Sequence, residues 1–300
     1  MEGNWLESNN SDENNFLERF ASKHVIFFVV LFIILDQILL HIGVWGIERL
    51  NLTGGILQYF KIQTIFNFVF GMIFVLIIYL LGDIKKIGLF NKKGFCGGMF
   101  LGLPMLFLII YYLLGYYNIW NYRMQSFEVS GIFVVILHVL SISFFEEIEF
   151  RAVLYLGLLK HRSKKKGSIV TAAIVSSVLF GVGHVSNGFE NHIQAILFVI
   201  NATVLGLFWS SIFIKVKNIW SVIFLHALAD FVVELPCVIF PSSYVRYMTE
   251  GAVLSVNKLL GTSLPSTDGI TQYIVLNLFC IPMLIMSIMY VKHFDKNEEY

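Results

Sequence analysis

Charge is what this sequence has least of. Only 14% of its 300 residues are Asp, Glu, Lys or Arg, where a soluble globular chain carries about 25%. The surface needed to stay in water is missing. Cysteine is scarce too: Cys96, Cys237 and Cys280 are the only 3, in separate hydrophobic runs with no CxxC spacing and no evident disulfide partner. They read as small buried apolar side chains. Also absent are an HExxH zincin helix, a GxSxG nucleophile elbow and a P-loop glycine pattern. Ser186 and Ser221 lie near histidines but lack the Gly-x-Ser context of a rhomboid-type serine protease. No internal repeat or low-complexity segment is visible, and a net charge of +1 gives no reason to expect nucleic-acid binding.

What the chain has in quantity is apolar sequence, 57% of residues with a mean hydropathy of +0.76. It comes in long blocks, and about 20 apolar residues wound as a helix match the hydrocarbon thickness of a bilayer. Eight such blocks are legible: Val25–Ile47, Thr64–Gly82, Phe95–Leu114, Val129–Leu159, Ser168–Ser186, Gln194–Ile214, Asn218–Phe240 and Ile270–Val291. The expected fold is all-α, a polytopic bundle of about eight transmembrane helices over residues 25–291. Residues 1–24 form a polar tail and residues 292–300 a charged one. The first block is too long for a signal-peptide core and carries Asp36. Lys and Arg stay on the cytoplasmic side of a membrane. With eight spans, the tails and the loops after the second, fourth and sixth spans hold fifteen of them: Arg19, Lys23, Lys85, Lys86, Lys92, Lys93, Lys160, Arg162, Lys164, Lys165, Lys166, Lys215, Lys217, Lys292 and Lys296. The opposite side holds five: Arg49, Lys61, Arg123, Arg246 and Lys258. That bias predicts a cell-membrane protein with both termini cytoplasmic.

Ionisable side chains in mid-membrane cost several kcal/mol each, so those that occur need a reason. The fourth block contains Glu146, Glu147, Glu149 and Arg151, the seventh His226, Asp230 and Glu234, and the fifth His184. At 100° per residue Glu147 and Arg151 share a helix face and can pair, a structural arrangement. Glu146 points about 100° away with no cation one turn on, and can accept a proton near neutrality. His226, Asp230 and Glu234 form one stripe, and a histidine and an acid at i, i+4 can ligate one metal ion. Glu146, His184, His226 and Asp230 are expected to share a polar cavity, because separate burial would cost more. His41 and His138 read as interhelical hydrogen-bond partners, Glu234 as a polar cap near Pro236, and Asp36 as an acid without a nameable partner. Helix rise puts His226 about 12 Å from Asn218 and His184 about 24 Å from Ser168, so the two meet only if their helices start at different depths.

The order Glu146-Glu147-x-x-x-Arg151, Phe180-x-x-x-His184, His226-x-x-x-Asp230 resembles the three motifs of the CPBP intramembrane proteases, the CAAX prenyl endopeptidase and bacteriocin-processing (Abi) group. The stretch Phe198–Trp220, with Gly206 inside it, is similar to the family's spacing between its second and third motifs. The resemblance implies an intramembrane endopeptidase acting on a peptide or protein tail at the lipid bilayer. It implies that Glu146 and His184 activate a water, that His226 and Asp230 stabilise the oxyanion or complete a metal site, and that Glu147 and Arg151 support the first motif. It also implies Zn2+ as a cofactor, held by Glu146, His184, His226 and Asp230, although direct glutamate catalysis is an alternative open to the same residues. The family's last motif position is often Asn. An ionised Asp230 cannot donate a hydrogen bond, so it must be protonated, bind a metal or orient His226. Two other functions compete: a non-proteolytic member acting in bacteriocin self-immunity or as a scaffold for a membrane sensor, and a proton-coupled transporter. The latter predicts two related halves, which the sequence does not show.

Overall fold

The computed structural model describes residues 19–20, 23–50, 55–119, 129–162, 167–186, 192–239, 257, 263 and 269–297, and among them there is no strand. The helices are α1 (Val25–Arg49), α2 (Gly55–Leu80), α3 (Phe95–Leu101), α4 (Leu106–Ile119), α5 (Val129–Glu147), a π-helical segment (Ile148–Leu154), α6 (Tyr155–Arg162), α7 (Ser168–Gly183), α8 (His192–Val216), α9 (Ile219–Glu234), α10 (Pro236–Ile239), α11 (Gly269–Phe279) and α12 (Ile281–Asn297). The protein is an all-α polytopic membrane protein.

Among the described residues, five helices are long and apolar enough to cross a bilayer, or seven if each bent pair is one span, fewer than the eight blocks suggest. The difference has two physical causes. α7 has 16 residues, about 24 Å at 1.5 Å per residue, short of a bilayer core of about 30 Å. The third and eighth blocks are each broken, by 43° at Gly102 and by 42° at Cys280, and uniformly apolar sequence does not announce a bend. α12 runs on to Asn297, so the charged segment after Lys292 continues the helix as far as that residue. Most of the polar stretch 1–24 and of the long loop after Phe240 lies outside the described residues. The cysteine expectation also needs correction: Cys280 is buried and its Sγ accepts from Asn201 Nδ2 at 3.0 Å, but Cys237 is half-buried and Cys96 exposed. Cys96 sits on the seven-residue α3, whose face toward α9 is taken by Gly98.

Burial sorts the helices by role. Half of the apolar window of α8 and of α9 is buried, against 17% for α1. α1 is a peripheral helix whose Ile26, Phe27, Ile34 and Ile38 stay exposed, the surface expected where lipid is the solvent. It docks by Phe32, which meets Phe74 of α2 and Phe150 of the π segment at ring distances of 5.9 and 5.8 Å. α2 packs on α5, α5 on α9, and α7 on α8, so the three motif-bearing helices are mutual neighbours or share one.

The ledge between α2 and α3 fixes where α9 begins. Asn218 caps α9 by accepting from Ser221 N at 3.1 Å, while its Nδ2 donates to Asn91 O at 2.6 Å. Ile219 N donates to Ile87 O at 2.9 Å and Trp220 Nε1 to Leu89 O at 2.8 Å. Gly88, at φ +66, lies against Lys217 O where a Cβ has no room, and a side chain at that φ is strained as well. This anchoring sets the level of His226, two turns into α9.

Below the ledge, Asp83 is 1% exposed and bridges Lys86 at 2.9 Å and Lys160 at 3.0 Å. Lys160 Nζ also donates to Leu81 O at 2.5 Å, tying the end of α2 to α6 behind the first motif. Hydrogen bonds to charged groups contribute about 1.5–3 kcal/mol each. Asp83→Asn is therefore expected to lower the apparent melting temperature of the purified protein by several degrees. An unchanged melting curve in detergent would show that the bridge contributes nothing.

Candidate active site

The first motif lies where an α-helix turns into a π-helix. Glu147 is the last residue of α5, and Ile148–Leu154 continue in π geometry, a form found mostly as single turns at functional sites. The two adjacent carboxylates diverge there. Glu147 is fully buried and pairs with Arg151, Oε2 to Nε at 3.1 Å. The guanidinium, also fully buried, donates through Nη2 to Gly206 O at 3.1 Å and lies over the Phe180 ring at 4.6 Å. A Cβ on Gly206 would come within 3.3 Å of Nη2 and 3.1 Å of Phe180, so glycine lets Arg151 reach that carbonyl.

Glu146 faces the other way, into a cavity of about 360 Å³ whose lining includes His184, His226, Asp230, Glu234, Phe180 and Trp209. The four residues expected to converge therefore line one cavity. α7 and α9 do start at different depths, since His184 and His226 reach it from helix ends of unequal distance.

His226 is the best-connected member. Its Nδ1 lies 2.8 Å from Glu147 Oε1, and its Nε2 lies 3.4 Å from Asp230 Oδ2 and 3.6 Å from Glu146 Oε2. An ionised carboxylate only accepts, so Nδ1–H donates to Glu147 and Nε2 is directed at the other two acids. The ring stacks on Trp209 at 4.0 Å and 20°, and Phe180 meets it edge-on at 6.0 Å. A histidine held by one hydrogen bond and two aromatic walls has a fixed orientation. His184 sits in the turn after α7, where Nδ1 donates to Phe180 O at 2.8 Å, because a carbonyl can only accept. That leaves Nε2 as the atom available for chemistry.

Sequence spacing finds the Glu147–Arg151 pair but misses the second partner of Glu147, His226, because that contact joins residues 79 apart. The one available signal is capacity: a carboxylate has two oxygens and Arg151 Nε takes one. Of the roles open to Asp230, contact with His226 is the one the geometry displays. Glu234 also lines the cavity. Among the described residues His138 Nδ1 has no hydrogen-bond partner, and the ring stacks on Phe60 of α2 at 4.2 Å with an interplanar angle of 16°. His41 bonds within its own helix, Nδ1 to Gln37 O at 2.7 Å. Asp36 does have a partner, Gln37, whose Nε2 donates to its Oδ2 at 3.1 Å, and it shares a cavity with Glu149.

The zinc implied by the motifs can be tested against the donors. Among the described residues, no group of three or more His, Cys, Asp or Glu side chains is arranged to hold a metal ion. Nδ1 of each histidine is committed, to Glu147 and to Phe180 O, which leaves each Nε2 as the available donor. The Nε2 of His226 faces Asp230 Oδ2 and Glu146 Oε2.

Comparison with curated proteins and with solved structures finds no match. Residues 128–232, about a third of the chain and the part that holds all three motifs, match the family model described as type II CAAX prenyl endopeptidase Rce1-like, so this segment is similar to the CPBP/CAAX protease family that the motif spacing resembles.

Proposed function

We propose that the protein is an intramembrane endopeptidase of the CAAX type, hydrolysing a peptide bond in a substrate held at the membrane. The observation that carries the reading is the convergence of Glu146, His184, His226 and Asp230, from three separate helical segments, on one cavity inside an apolar bundle. Glu146, partly exposed to that cavity, takes the proton of a water as its oxygen attacks the peptide carbonyl. His184 Nε2 orients the same water. The developing oxyanion accepts from Nε2–H of the imidazolium form of His226, whose Nδ1–H donates to Glu147 and whose Nε2 is flanked by Asp230. Glu146 then returns its proton to the leaving amine, so atoms balance over one water and one amide bond. The concentration of Lys and Arg in some connecting segments and not others supports a cell-membrane location.

The test is hydrolysis of a mixed-sequence peptide library by full-length protein in phospholipid vesicles, read as new amino termini by mass spectrometry. Cleavage that disappears with Glu146→Gln supports the reading, and no cleavage of any peptide or membrane-protein tail overturns it. His184→Ala is expected to slow turnover about as much as Glu146→Gln, with the double variant little slower than either, since both groups act on one water. Losses that multiply in the double variant would assign the two residues to separate steps.

A further inference from the structure

A second cavity, of about 630 Å³, adjoins the first and shares Glu146, Phe180 and His184 with it. Its outer wall is one face of α1, on which Asp36, Leu40, Val44 and Glu48 recur every four residues with Gln37 and His41 beside them. Its inner wall contributes Glu149. Among the described residues, four carboxyls line this cavity and no lysine or arginine does.

Glu149 is the anomaly within it. The residue is 1% exposed, and its Oε1 has no hydrogen-bond partner among the described residues. The same cavity holds another carboxyl, that of Asp36, whose Oδ2 accepts from Gln37 Nε2 at 3.1 Å. The nearest guanidinium in the sequence, Arg151, is engaged by Glu147 and Gly206 O. Two such acids in the hydrocarbon region of a membrane are costly, and a cation between them offsets that cost. A guanidinium suits the place best, because its planar fork can serve two carboxylates at once. The shared wall of Glu146 and His184 puts such a cation beside the bond under attack.

Resting on the proteolytic reading above, we propose that this second cavity is the subsite for a residue flanking the scissile bond, that it takes a basic side chain, arginine above lysine, and that Asp36 and Glu149 receive the charge. Glu149 comes from the helix that carries Glu146, so binding there registers the substrate against the base. Asp36 comes from the peripheral α1, which ties the acceptance of substrate to the docking of that helix.

The experiment separates binding from cleavage. Full-length protein with Glu146→Gln, in phosphatidylcholine vesicles, is titrated against fluorescein-labelled octapeptide mixtures in which one position is either arginine or citrulline, its neutral isostere. Fluorescence anisotropy is expected to show at least about tenfold tighter binding of the arginine set. Adding Asp36→Asn should bring that ratio close to one, and Asp36→Glu should keep most of it. Equal binding of the two sets overturns the proposal whatever the fate of the Asp36 variants, and so does a ratio that survives Asp36→Asn. Tight binding that magnesium or calcium alone displaces would assign the acids to an inorganic cation instead and overturn it equally. The unsubstituted protein is then given the same peptides. If it binds with the arginine preference but cleaves none, the subsite stands and the proteolytic reading falls.

Discussion

Glu146→Gln is expected to lower the turnover of peptide hydrolysis by about 10²–10⁴-fold, the contribution of a positioned general base, while the protein still inserts, folds and binds peptide. The amide has nearly the carboxylate's shape, and the contact of Glu146 with His226 Nε2 is a long one, 3.6 Å. Little packing is therefore disturbed. Glutamine cannot accept the proton of an attacking water and return it to the amine, so the loss falls on kcat rather than KM. The rival functions give a different result. An immunity protein or a scaffold acts through its surface, and cells with Glu146→Gln at matched protein level should then behave as wild type. A transporter relaying protons through Glu146 would lose transport but would never have cleaved peptides. Wild-type behaviour of the substituted strain would remove the protease reading and install the binding one.

How much of the molecule is legible in its sequence depends on the range of the interaction. The apolar blocks are properties of contiguous sequence, and seven of the eight coincide with long helices or broken helix pairs. The convergence of Glu146, His184, His226 and Asp230 is legible for a thermodynamic reason: buried polar groups that cannot find water must find each other. Contacts that depend on the packing angle between helices are not. Helical spacing relates Glu147 to Arg151, one turn away, and says nothing of His226, which reaches Glu147 only because α9 starts from the ledge that Asn218 and Gly88 hold. Asp36 reads as solitary for the same reason, since Glu149 lies on another helix. The π segment is illegible as well. Ile148–Leu154 has no glycine or proline to mark it, and its cause lies in what surrounds it: a buried Arg151 reaching Gly206 O on α8, and a Phe150 wedged between Phe32 and Phe180.

Arg151→Met is expected to be the most damaging change to stability, costing about 3–5 kcal/mol, because it removes one partner from a fully buried ion pair and leaves Glu147 charged without its cation. The folded yield in detergent, read as the monodisperse peak on gel filtration, should collapse. The companion substitution distinguishes an unpaired charge from lost packing. Glu147→Gln together with Arg151→Met leaves no buried charge, and replacing a buried pair by neutral groups of similar volume is often tolerated. The double variant should therefore recover most of the yield that Arg151→Met loses. The amide that Glu147→Gln introduces still offers a carbonyl oxygen to His226 Nδ1–H, which lies 2.8 Å from the native carboxylate, so the ring keeps its orientation. What the ring loses is the negative charge behind it. Under the proposed mechanism, the recovered double variant should bind peptide normally but hydrolyse it more slowly than wild type, because an oxyanion donor backed by an amide is a weaker one. If Arg151→Met instead expresses at wild-type level and loses only hydrolysis, the guanidinium belongs to the chemistry and not to the fold. If the double variant is no better folded than the single, the cost lies in the cation's contacts with Phe180, Trp209 and Gly206 rather than in its charge.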